Sequence, residues 1–120
     1  MLVVYDSLTG QGHRFAEKLG FELADINLGI PAHSGKLFLI TRSFNFGEVP
    51  ETTLDFIEDY RDEIAGVAVS GNRNWGTNFG AAGDKIEKQF QIPLVLKFEG
   101  SGFSKDVEYV RAWIMQQEDQ

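Results

Sequence analysis

The sequence contains no cysteine. That absence excludes disulfide frameworks, thiolate zinc sites, iron–sulfur clusters and a cysteine nucleophile together. Histidine is limited to His13 and His33, which lack a carboxylate pattern around them. No metal site is therefore expected on this chain. No apolar run approaches 18 residues, so no membrane span is expected. Positive charge is in short supply: 11 Lys and Arg stand against 18 Asp and Glu, for a net charge of −7. That balance disfavours nucleic-acid binding through phosphate contacts, and it suits solubility or docking on a basic partner surface. The opening Met1-Leu2-Val3-Val4-Tyr5 lacks a basic n-region and is too short for a signal peptide, so a cytoplasmic location is the expectation.

What is present is ordinary for a globular chain: 120 residues, 42% hydrophobic and 24% charged. This fits one domain over residues 1–120. A chain of this size buries roughly two-thirds of its unfolded surface. Leu2 to Tyr5, Lys36 to Thr41, Ile64 to Val69 and Leu94 to Phe98 are short apolar runs that end in turn residues, and each reads as a buried strand. Leu23 to Ile26 is a weaker strand candidate. Between them, Phe15, Ala16 and Leu19 fall at helical spacing, with a helix expected from His13 to Leu19. Leu54, Ile57 and Tyr60 do the same after Pro50, which suits a first turn. Phe79, Ala82, Ile86 and Phe90 mark a third helix. Val107, Val110, Trp113 and Ile114 mark a fourth, with Ser104 as its expected N-cap. Residues 27–35 read as loop, so the connection between the second and third strands lacks a recognisable helix.

The expected fold class is α/β: five strands and four helices, with strands apolar enough to be covered on both faces. Right-handed crossovers favour a doubly wound five-stranded parallel sheet of order 2-1-3-4-5 with helices on both faces, a flavodoxin-like arrangement. Ligands on such sheets sit outside the carboxyl ends of the strands. That rule selects four loops: Asp6–Gly12, Arg42–Gly47, Ser70–Gly76 with its extension to Phe79, and Glu99–Phe103.

Two readings fit the first loop. Ser7, Thr9, Gly10 and the amides of a helix start form a phosphate cradle; the same residues also suit a capped strand-to-helix turn. The spacing is neither that of a P-loop nor that of a dinucleotide fingerprint, since Phe15 stands where a third glycine belongs. In the second and third loops, Phe44 and Phe46 flank Asn45, and Trp75 lies among Asn72, Asn74 and glycines. Either these rings fold back on the core, or something planar covers them. A flat ring held between these loops, with a phosphate in the first, describes a flavin mononucleotide (FMN) site.

Ser7-x-Thr9-Gly10-x-x-x-Arg14-Phe15, Ser70-Gly71-Asn72-Arg73-Asn74-Trp75-Gly76 and Phe98-Glu99-x-x-Gly102 resemble the NrdI family, small flavodoxin-like proteins of class Ib ribonucleotide reductase systems. The resemblance covers essentially the whole chain, and the Ser-Gly-Asn-Arg-Asn-Trp-Gly segment is its most specific part. It departs from the family's common pattern at Gln11 and Phe103. The resemblance implies non-covalent FMN, reduced by a separate flavin reductant. It further implies reaction of the reduced flavin with dioxygen. The resulting superoxide or peroxide-level oxidant then serves the radical-generating, dimanganese subunit of the reductase, which holds the metal. The implied cofactor-binding residues are Ser7, Thr9, Gly10, Gln11, Gly12 and Arg14 in the first loop. The second loop adds Thr41, Arg42, Ser43, Phe44 and Gly47, and the third adds Ser70, Gly71, Asn72, Asn74, Trp75, Gly76 and Phe79. No side chain is expected to be catalytic, because the flavin carries the chemistry. The alternative is a generic flavodoxin electron carrier, distinguished by the lack of oxygen chemistry with a dimanganese partner. A signalling receiver on the same sheet order would need clustered acids at the strand ends, where Asp6 stands alone.

Charge adds one expectation. Arg42 is the only charge from Thr41 to Gly47, and Arg73 the only one from Ser70 to Gly80. If both face the ring, the local sign is positive, and one such cation stabilises an anionic reduced flavin by roughly 1–3 kcal/mol at an effective dielectric near 20. If both point to solvent, the effect vanishes.

Overall fold

In a computed structural model, the structure describes residues 1–44 and 47–118. Alternation of side chains along the strands explains why the apolar runs are nearly continuous. β1 (Leu2–Tyr5) and β3 (Leu37–Arg42) are flanked by β2 (Leu23–Asp25) on one side and by β4 (Ile64–Gly71) and β5 (Leu94–Glu99) on the other. Leu2, Val4, Leu37, Leu39, Val67 and Val69 point to one face of the sheet. Val3, Phe38, Ile40 and Ala68 point to the other. Both faces are buried, so both sets must be apolar.

The helices divide accordingly. α2 (Glu51–Tyr60) and α3 (Ala81–Phe90) cover the first face through Phe56, Ile57, Ala82 and Ile86. α1 (Gln11–Leu19) and α4 (Ser104–Glu118) cover the second through Phe15, Leu19, Val110 and Ile114. Phe15 stacks on Phe98 of β5 at 4.0 Å between ring centroids. The sheet order is β2-β1-β3-β4-β5, with every pairing parallel. This is the expected doubly wound order. Among the described residues, the β2-to-β3 connection carries a single 3₁₀ turn, Ile26–Leu28, and no α-helix.

Several boundaries differ from expectation for local reasons. α1 begins at Gln11 rather than His13, because Gly10 adopts a left-handed conformation at φ 88° and turns the chain directly into the helix. β2 stops at Asp25, whose side chain accepts the Asn27 N–H and so starts the 3₁₀ turn. The Phe79 stripe begins outside its helix, since α3 starts at Ala81. Ser104 is not the cap of α4. The cap position falls on Phe103, whose carbonyl accepts the Asp106 and Val107 N–H groups. Asp106 reaches back to accept the Phe103 N–H at 2.8 Å, which is half of a capping box.

The register aligns the strand ends that matter. Tyr5 pairs with Ile40, Arg42 with Ser70, and Gly71 with Glu99. The loops that follow β1, β3, β4 and β5 therefore leave the sheet along one edge. Among the described residues, no helix is long and apolar enough to cross a membrane.

Candidate cofactor site

At that edge the loops enclose a cleft of about 710 Å³. This lies within the range of small-molecule sites. The first loop contributes Leu8, Thr9 and Gln11, the second Arg42, Ser43 and Phe44, the third Ser70, Gly71, Asn72, Asn74 and Trp75, and the fourth Glu99 and Gly100. A small recess continues beneath it, bounded by Asp6, Ser7, Gly12 and Thr41. At about 20 Å³ it has room for about one water.

The first loop is a tight, hydrogen-bonded turn into α1. The Ser7 hydroxyl oxygen accepts the Gly10 N–H at 3.0 Å, which leaves the hydroxyl hydrogen to be donated elsewhere. The Arg14 guanidinium lies over Gly10, so that a side chain there would meet Nη1 at 3.1 Å. Gly12 runs close to β3, with the Ile40 methyl 3.4 Å from where a Cβ would stand. These contacts bring the positive end of α1 to the mouth of the cleft.

The second and third loops set the aromatic walls. Phe44 is 45% exposed and Trp75 37% exposed, and both line the cleft. The rings do not fold back into the core. Phe44 is held by a two-way backbone bridge to Glu48. Asn45 and Phe46, expected beside it, lie outside the described residues. Gly47, at φ 99°, lets the loop pass α3, where a Cβ would stand 2.6 Å from that of Ala81. The Ser43 hydroxyl accepts the Ala82 N–H and so anchors the loop to the first turn of α3. The Asn72 side chain accepts the Asn74 N–H at 2.9 Å, closing a tight turn ahead of Trp75.

Of the sequence-derived residues, Ser7, Thr9, Gln11, Gly12, Thr41, Arg42, Ser43, Phe44, Ser70, Gly71, Asn72, Asn74 and Trp75 border the cleft or its recess. Gly10, Arg14, Gly47, Gly76 and Phe79 do not border either. Gly10, Gly47 and Gly76 shape the loops through positive φ instead. Arg14 covers the first turn, and Phe79 underlies the Arg73 guanidinium at 4.7 Å. Thr41 is buried, and its hydroxyl meets that of Thr53 at 2.6 Å. Sequence reasoning passed over Leu8, Glu99 and Gly100. Leu8 is 74% exposed, an apolar side chain in a Ser-Leu-Thr-Gly turn, and that mismatch was a visible signal. Glu99 and Gly100 head the fourth loop picked out by topology.

The expected positive sign of the cleft does not hold. Arg42 is paired with Asp6 at 2.9 Å, so its charge is offset at short range. Arg73 is absent from the lining, and Glu99 is part of it. The Glu99 carboxylate accepts the Arg73 backbone N–H at 3.0 Å. The end of β1 supplies Asp6 as the charge partner of Arg42, and the end of β5 supplies Glu99, which meets the Arg73 backbone.

The donor set fits a phosphorylated planar ligand: hydroxyls and helix amides at one end, and two exposed rings with asparagine amides at the other. The family model described as NrdI Flavodoxin like matches residues 3–112. The SPbeta prophage-derived protein NrdI of Bacillus subtilis is 43% identical over 111 residues, covering 90% of this chain and 86% of that protein. Protein NrdI of Bacillus licheniformis is 45% identical over 107 residues, covering 88% and 81%. Among solved structures, a short-chain flavodoxin associated with a non-canonical PDU bacterial microcompartment superposes with a TM-score of 0.67 at 18% identity, covering 93% of this chain and 91% of that one. A Fusobacterium nucleatum flavodoxin bound to flavin mononucleotide gives 0.66 at 12% identity, covering 98% and 96%. The shared architecture is flavodoxin-like.

Proposed function

The chain belongs to the NrdI flavodoxin-like family, and from that premise we propose that it binds FMN and serves a class Ib ribonucleotide reductase. Residues 1–120 act in this reading as one binding domain in the cytoplasm. The observation that carries it is the placement of Phe44 and Trp75, both exposed, in a strand-end cleft that also holds the hydroxyl-rich first loop. Exposed rings are costly to leave in water and are matched by a flat aromatic ligand.

In this reading Ser7 and Thr9 donate hydroxyl hydrogens to the phosphate, the first amides of α1 add their partial charge, and Arg14 balances the dianion. Phe44 and Trp75 cover the ring, while Asn72, Asn74 and the backbone near Gly71 and Gly100 offer donors and acceptors to its polar edge. A bound, reduced flavin would supply the electrons that take dioxygen to superoxide, by one electron, or to a peroxide-level oxidant, by two. The chain's own part is to bind, orient and partly shield the cofactor while leaving one edge open. The oxidant then passes to the dimanganese subunit, which holds the metal and the tyrosine, and a separate flavin reductant returns the electrons.

The test combines reduced, FMN-loaded protein, dioxygen and the manganese-loaded radical subunit, followed by electron paramagnetic resonance. A tyrosyl radical signal that requires all three is expected. Its absence, alongside ready reduction of a cytochrome by the same protein, would favour a general electron carrier instead.

A further inference from the structure

Two carboxylates are buried among the described residues, Asp6 and Asp106. Asp106 caps α4. Asp6, 3% exposed at the end of β1, has no such local duty. Its Oδ1 accepts Asn27 Nδ2 at 3.1 Å and Arg42 Nη1 at 2.9 Å. Its Oδ2 accepts the hydroxyls of Thr52 and Thr53, the latter at 2.7 Å. Thr53 gives its hydrogen to Asp6, so the Thr41–Thr53 contact must run with Thr41 donating. Four donors fill the lone-pair sites of one carboxylate. They come from the 3₁₀ turn, from β3 and from the first turn of α2.

Arg42 belongs to this cluster and also to the wall of the cleft. A guanidinium is planar, and a bond from one nitrogen to a fixed carboxylate restricts how the plane turns. The Asp6 backbone is itself fixed, its N–H bonded to the Ile40 carbonyl at 2.9 Å. Other charges near the cleft act from elsewhere: Glu99 in the wall, Arg73 over Phe79, and Arg14 over Gly10.

We propose that Asp6 is a positioning residue for the cofactor cleft: it fixes the Arg42 guanidinium in the wall and offsets its charge, so that the ring meets an ion pair rather than a bare cation. The inference rests on the FMN reading above and adds to it. Reduction gives the flavin negative charge, so the balance of this pair enters its reduction potential directly. Removing the Asp6 charge unmasks Arg42 and favours the reduced form. Removing the Arg42 charge leaves the carboxylate and favours the oxidised form.

The experiment compares FMN-loaded wild type, Asp6→Asn, Arg42→Gln, Arg42→Lys and the Asp6→Asn/Arg42→Gln pair, with potentials read by equilibration against dyes. Asp6→Asn keeps the shape and the acceptor toward Arg42. It is expected to raise the potential by a tenfold change in equilibrium constant or more, which is 59 mV for a one-electron step. Arg42→Gln is expected to lower the potential, Arg42→Lys to hold it near wild type, and the double variant to return toward wild type. A purely structural Asp6 would change stability while leaving the potentials alike. A shift below tenfold in FMN-loaded Asp6→Asn overturns the proposal. If that variant does not fold, the arginine variants decide, and equal potentials for Arg42→Gln and Arg42→Lys overturn it. Wild type that takes up no FMN sinks the cofactor reading itself, a result separate from unchanged potentials in loaded protein.

Discussion

Asp6 shows how much one side chain can organise. Burial pushes its carboxyl up, but hydrogen bonds from Thr52, Thr53 and Asn27 and the charge of Arg42 outweigh this and hold it below the ordinary aspartate value. A group whose folded-state value is depressed stabilises the fold above its unfolded-state value, about 3.9, and that contribution fades as the pH falls toward the folded-state value. Urea denaturation of wild type and Asp6→Asn from neutral pH down to about pH 3 reads this directly. The wild-type advantage is expected to be widest above about pH 4 and to shrink below it. A gap that stays constant across the range would show that the Asp6 charge adds nothing. None of this convergence is visible in the sequence, where Asp6, Asn27, Arg42 and Thr52 stand far apart.

At the scale of elements, close approach explains features that propensity alone would misjudge. Gly66 sits inside β4, where glycine is a poor strand former. A Cβ there would stand 2.7 Å from Cη2 of Trp113 and 3.0 Å from Cγ2 of Val95. Trp113 is in turn tilted against Phe38 at 5.7 Å, so a shift of its ring disturbs that contact. Gly66→Ala is therefore expected to destabilise by about 1–3 kcal/mol in chemical denaturation, against its better strand propensity. Stability equal to wild type would contradict the packing account. The strands β1, β3 and β4 were legible because they are buried on both faces and so are nearly continuous in apolar residues. The starts of α1 and α4 were less legible, because a left-handed Gly10 and the carboxylate of Asp106 set them rather than a residue in the expected cap position. The site loops followed from topology once the strand order was inferred. What topology does not show is which loop glycines only shape the backbone, and which acids from neighbouring strands meet the arginines.

Across the whole molecule, a sheet buried on both faces leaves one rim free to carry chemistry. The neighbouring strands β1, β3, β4 and β5 deliver hydroxyls, amides, two rings and the arginine of an ion pair to one cleft, although the loops are distant in sequence. In the proposed reading, FMN is the occupant of this cleft, and the NrdI family membership supports it. The most direct test is titration of the flavin-free protein with FMN, followed by tryptophan emission and visible absorbance. Saturable one-to-one binding is expected, with quenching that falls sharply in Trp75→Phe. No quenching and no spectral change at a large excess of FMN would contradict the account.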